Sequence, residues 1–123
     1  MKYEIEKRLN AIIPEEMKKI IETKKDFNIM VDGEMTNFTV LSPNEMLEAY
    51  EEQKDLFDYD FIPFAFLDDD YLCISIKKSG NSIIYWSSER AMESKRLAIF
   101  ELYSSYNDFI KICIKTKSPG RQT

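Results

Sequence analysis

A chain of 123 residues with 44% hydrophobic and 13% aromatic content has material for one domain with one core, and none to spare for a second folded unit. Its 17 basic and 22 acidic residues leave a net charge of −5, and the absence of histidine removes the side chain most used for acid/base work at neutral pH and as a zinc ligand. The acidic surplus is concentrated: from Glu45 to Asp70 ten acids stand against Lys54 alone, a balance of −9, so the remainder carries +4. A segment of that sign repels nucleic acid and favours a basic partner, although a solvated helix face followed by a loop accounts for it equally well.

The first residues, Met1-Lys2-Tyr3-Glu4-Ile5-Glu6, lack the apolar region of a signal peptide, and no run approaches the ~18 apolar residues of a membrane span. A cytoplasmic location without membrane contact is expected. Ile5, Leu9 and Ile12 recur at helical spacing. Pro14-Glu15-Glu16 then places proline at a first helical position and acids in the first turn, and Met17, Ile20 and Ile21 extend one apolar stripe to about residue 25. Phe27, Ile29 and Val31 alternate with polar residues, Asp32-Gly33 supplies a turn, and Phe38 and Val40 alternate again. A hairpin is predicted, with a loop of up to four or five residues, because Glu34, Met35 and Thr36 do not fix the register.

Ser42-Pro43-Asn44-Glu45 has serine at the N-cap, proline at N1 and glutamate at N3, a capping box that opens a helix through Met46, Leu47, Tyr50, Lys54 and Phe57. Asp58-Tyr59-Asp60 ends it. Pro63 cannot donate to a sheet ladder, so residues 61–66 read as an extended entry or an edge segment. From Tyr71, Leu72, Ile74 and Ile76 fall on one face of a strand and Tyr71, Cys73 and Ser75 on the other, with both faces covered. Turn residues from Lys77 to Ser82 lead to Ile83-Ile84-Tyr85-Trp86, expected to pair antiparallel. Residues 87–95 suit a loop or one helical turn, Arg96 to Leu102 a short strand, and Tyr106, Phe109, Ile110, Cys113 and Ile114 the apolar stripe of a closing helix. The domain is expected over 1–117, with a frayed tail at 118–123.

Motifs for catalysis are missing from the sequence. The three glycines, Gly33, Gly80 and Gly120, build neither a phosphate cradle nor a nucleophile elbow. Cys73 and Cys113 belong to no C-x-x-C pair and sit among apolar neighbours, so free buried thiols are expected, a single bridge being the alternative. Asp68-Asp69-Asp70 with Asp58 and Asp60 offers oxygen ligands, but the spacing is not that of a calcium loop, and consecutive acids on an extended chain alternate in direction. No metal or cofactor is assigned. For the triplet an exposed turn and a partner-binding edge remain open, and for Trp86 core packing stands beside a role in an aromatic contact patch with Tyr71 and Tyr85.

The order of these motifs resembles the SUKH superfamily of the Smi/Knr type. Ile13-Pro14 before an amphipathic helix looks like its N-terminal helix start, and Ser42-Pro43-Asn44-Glu45 like the junction before its middle helix. Ile62-Pro63-Phe64-Ala65 resembles its "IPF-small" segment, Asp70-Tyr71-Leu72-Cys73-Ile74 its acidic-aromatic strand opening, Ile84-Tyr85-Trp86 the next strand, and Tyr106-Asn107-Asp108-Phe109-Ile110 its closing helix. Ala65 and Asp68-Asp69-Asp70 stand where relatives often have glycine, which leaves the turn geometry open. The resemblance implies an α+β fold, with a largely antiparallel sheet of about four to six strands flanked by helices. It implies no enzyme but a binding domain: in bacterial members, an immunity protein that neutralises a cognate toxin, frequently a nuclease, and in other relatives a regulatory or scaffolding module with an endogenous partner. For a toxin with a basic surface, the acidic stretch would supply the contact. Its candidate residues are Glu48, Glu51, Glu52, Asp55, Asp58, Asp60, Asp68, Asp69 and Asp70, with Tyr59, Tyr71 or Trp86 as anchors.

Overall fold

The computed structural model describes residues 2–57, 61–76 and 81–115, the side chains of 114 and 115 excepted. The expected tail at 118–123 lies outside these residues. Elements follow in the order α1 (Glu4–Leu9), α2 (Glu15–Thr23), β1 (Asp26–Val31), β2 (Glu34–Val40), α3 (Pro43–Gln53), β3 (Phe61–Leu67), β4 (Asp70–Ser75), β5 (Ile83–Trp86), α4 (Ser88–Ala91), β6 (Ile99–Tyr103) and α5 (Tyr106–Lys115). The six strands form one antiparallel sheet in sequential order β1 to β6. This is the α+β architecture expected.

Asn10, in the left-handed conformation, ends α1 and takes Ile12 off the predicted stripe, leaving it 71% exposed. Pro14 is the N-cap of α2 and not its first residue. Val31 pairs directly with Glu34, so the first hairpin turns on Asp32 and Gly33 alone, both at positive φ. That primed turn matches the strand twist and is shorter than the loop anticipated. The Ser42 capping box forms in both directions: Glu45 N–H donates to Ser42 Oγ at 3.2 Å and Ser42 N–H to Glu45 Oε1 at 2.8 Å. The helix it opens stops at Gln53, so Asp55 and Phe57 lie in the turn that follows.

Residues 61–67 form β3, an interior strand, where the sequence led to an entry or edge segment. The reason lies in the pairing. β2 pairs only with Ala65 and Phe66, and at Leu41 the chain makes one further bond to the Phe64 carbonyl, so Pro63 owes no N–H to that side. Toward β4 a shift of register between Pro63 and Ala65 absorbs the missing donor.

Two aromatic clusters fill the two faces of the sheet. Phe109 of α5 contacts Phe27 (5.2 Å between ring centres), Phe64 (5.5 Å) and Tyr103 (5.8 Å), and α5 packs against β1, β6 and α2. On the other face Phe57 meets Trp86 edge-on at 5.0 Å and Tyr71 at 5.9 Å, beside Tyr50 of α3. Leu72, Cys73, Ile74 and Ser75 are all buried, as two covered faces require. Cys73 and Cys113 are free thiols, and burial pushes the Cys113 thiol up to about 12.

An ion pair that the sequence did not announce joins α1 to α2. Glu6, wholly buried, accepts from Tyr3 N–H at 2.7 Å and Ile13 N–H at 2.6 Å, and its other partner is the buried Lys18 ammonium at 2.8 Å. Burial pushes its carboxyl pKa up, but the Lys18 contact and the two backbone donors together push it further down, and the net shift is downward.

Candidate partner-binding surface

On α3 the exposed acids Glu48 and Glu52 stand four residues apart, with the exposed Asp55 in the turn that follows, while Met46, Ala49 and Tyr50 face the core. Glu51, one position off this stripe, turns toward α1 and pairs with Arg8 and, at 3.3 Å, with Lys54. It is therefore already neutralised. Asp58, Tyr59 and Asp60 lie outside the described residues.

The second acidic element is the turn between β3 and β4. Leu67 pairs with Asp70, leaving Asp68 and Asp69 as the two loop residues, and Asp68 takes positive φ (55°). This answers the question left by the missing glycine: aspartate tolerates the left-handed region better than most residues. Beyond the loop the chain alternates, so Asp70 and Tyr71 point to opposite faces. Asp70 is half-buried, and its carboxylate accepts from Ser88 N–H at 2.9 Å, Ser88 Oγ at 3.1 Å and the Tyr85 hydroxyl. It joins the β3–β4 turn to α4 and its oxygens are engaged within the fold. A cleft of about 570 Å³ runs past it, lined also by Asp32, Arg90 and Phe100, with the Arg90 guanidinium lying 5.1 Å over the Phe100 ring.

Tyr71 is where the two acidic elements meet. It is half-buried, and its hydroxyl pKa is raised first by burial and then by the negative charge of Glu52, with a smaller effect from Asp69. The charges of Glu52 from α3 and Asp69 from the hairpin thus both act on one aromatic side chain. Trp86, expected as a contact residue beside it, is a correction: it pairs with Tyr71 across the sheet, but Phe57 covers it and leaves it 1% exposed. Its role is to support Tyr71 from beneath. The pairing of β4 with β5 puts Tyr71 and Trp86 on the same face, but their different depths depend on Phe57, whose position after the end of α3 has no local signature.

Among the described residues no group of three or more histidine, cysteine, aspartate or glutamate side chains converges as a metal site, and no helix is long and apolar enough to cross a membrane. The model of the SMI1/KNR4 family (SUKH-1) matches residues 3–112. The chain belongs to the SMI1/KNR4 family. The match takes in every strand and all but the last turn of α5, so both faces of the sheet and the surface around Tyr71 are SUKH-1 structure. A search of curated proteins gives no match.

Proposed function

We propose that this SUKH-1 domain is an immunity protein, which binds a cognate bacterial toxin stoichiometrically and blocks it, without catalysis or cofactor. Family membership supports a binding role of this kind. The observation that supports the finer reading is that the half-buried Tyr71 lies within the electrostatic reach of both Glu52 and Asp69, exposed acids of two different elements. A basic toxin surface, such as the substrate groove of a nuclease, meets there an aromatic anchor with a negative rim extended by Glu48 and Asp68. Charge of this kind accelerates encounter and excludes acidic competitors, while the ring supplies affinity. Two buried free thiols suit a reducing compartment, and we place the action in the cytoplasm.

Co-expression with the product of a neighbouring toxin gene is the direct test. A one-to-one complex and survival of the cells are expected, and neither would be seen if the partner is an endogenous protein in a regulatory assembly. Within such a complex the double variant E52K/D69K is expected to slow association by roughly ten-fold or more and to flatten its salt dependence. Asp26→Lys, an exposed position on β1, is the control and leaves the rate nearly unchanged. Equal effects of both variants would remove Tyr71 and its rim from the interface.

A further inference from the structure

A second surface has the opposite sign. Arg8 and Leu9 at the end of α1, the turn after α3 and the loop before β6 enclose a cleft of about 700 Å³, within the usual range of ligand clefts. Among the described residues four cations line it, Arg8, Lys54, Lys95 and Arg96, with Asp55 as the one acid. Part of this charge has a local explanation. Arg8 lies in the last turn of α1 and Lys54 is the C-cap of α3, where the negative pole of a helix favours cations, and both pair with Glu51. Lys95 and Arg96 have no such reason to be there. They stand on the loop between α4 and β6, are exposed, and have no acidic partner at ion-pair distance among the described residues. With Glu51 and Asp55 counted, two positive charges remain uncompensated among the described residues of the cleft, in a chain whose net charge is −5.

We infer that this cleft receives an acidic peptide segment of a partner protein, its carboxylates between the two cationic walls and an apolar side chain over Leu9 and Ile99. Both of those residues are half-buried and give the cleft an apolar floor. The aromatic residues at its base, Tyr50 and Phe57, are 5% and 1% exposed, so no ring face is open for a nucleobase to stack on. A long polyanion would also meet the acidic stripe of α3 next to the cleft, whereas a short segment fits between the walls. The inference does not depend on the partner being a toxin.

The test is a titration of the ¹⁵N-labelled full-length protein with a blocked peptide Glu-Leu-Asp-Leu-Glu, followed by amide chemical shifts. Saturable shifts confined to Leu9, Lys54, Asp55, Lys95, Arg96 and Ile99 are expected, with none from the neutral peptide Gln-Leu-Asn-Leu-Gln. The variant K95E/R96E, its spectrum otherwise unchanged, is expected to bind roughly ten-fold more weakly, the effect of reversing two exposed charges. If that variant loses its fold, K95Q/R96Q serves in its place with a smaller loss. Unsaturable or scattered shifts, or equal binding by the variants, would overturn the inference. So would inorganic phosphate or oligothymidylate occupying the cleft at lower concentration than the peptide. None of these outcomes bears on E52K/D69K, so the acidic rim and the basic cleft stand or fall separately.

Discussion

Glu6 and Lys18 form an ion pair shut off from solvent, and Glu6 also accepts the backbone N–H groups of Tyr3 and Ile13. Removing one charge leaves the other buried without its counter-ion, so Glu6→Gln is expected to destabilise the domain by about 3–5 kcal/mol in urea or thermal unfolding. Buried pairs can often be replaced by two apolar residues at little loss. Here E6L/K18L is expected to remain destabilised, because two backbone donors would still lose their acceptor. The pH dependence has a definite sign. The folded pKa of Glu6 is below its ordinary value of 4.5, so its contribution is complete above that pH and is lost as pH falls through the folded pKa. Acid unfolding of the wild type should therefore steepen below about pH 4.5, and E6Q should lack that part of the slope. Nothing in the sequence marks this residue. Glu6 reads as an ordinary acid in the first turn of a helix, and its partners arrive only when the chain from Asn10 to Pro14 folds back and sets Lys18 beside it. Tyr71 illustrates the same limit: its face was legible from alternation, but the charges that act on it come from α3 and the hairpin together.

Turns and caps were the most legible elements, since they are written in adjacent residues. Asp32-Gly33 and Ser42-Pro43-Asn44-Glu45 both form what their chemistry prescribes. Each carries a prediction. At Gly33, φ is +84° and an added Cβ would meet nothing within 4 Å, so Gly33→Ala has only the backbone conformation against it. It should cost about 1 kcal/mol by denaturant titration, with no change in the core. Ser42→Ala should cost a similar ~1 kcal/mol through the lost cap. Strand β3 was less legible for a clear reason. Proline excludes a ladder donor at one position but says nothing of which neighbour is absent there, and β2 reaches only the far half of β3. The length of α3 was overread in the same way, because Lys54 and Phe57 continue an apolar-polar period although the helix ends at Gln53.

The described residues carry an acidic surface on α3 and the β3–β4 turn and a basic cleft beside α1, while the two thiols and the single tryptophan are buried inside. Cys73 and Cys113 should therefore react with a thiol reagent only as fast as the domain opens, and loss of Trp86 fluorescence in denaturant should coincide with loss of helical circular dichroism. Thiol labelling that is fast in native buffer would show a local opening near β4 or α5. The sheet itself is built from neighbours in the chain, each strand pairing with the one before it. A growing polypeptide could lay down these strands in order of synthesis, but it could not finish. Phe109, from the last helix, is the ring that touches both β1 through Phe27 and the region of β6 through Tyr103. Until that helix has left the ribosome, this face of the sheet lacks the ring that bridges Phe27 and Tyr103. A nascent chain stalled before residue 106 should remain open to protease, and one stalled well beyond residue 115 should resist it. The arrival of α5 thus decides when both ends of the sheet first share one surface.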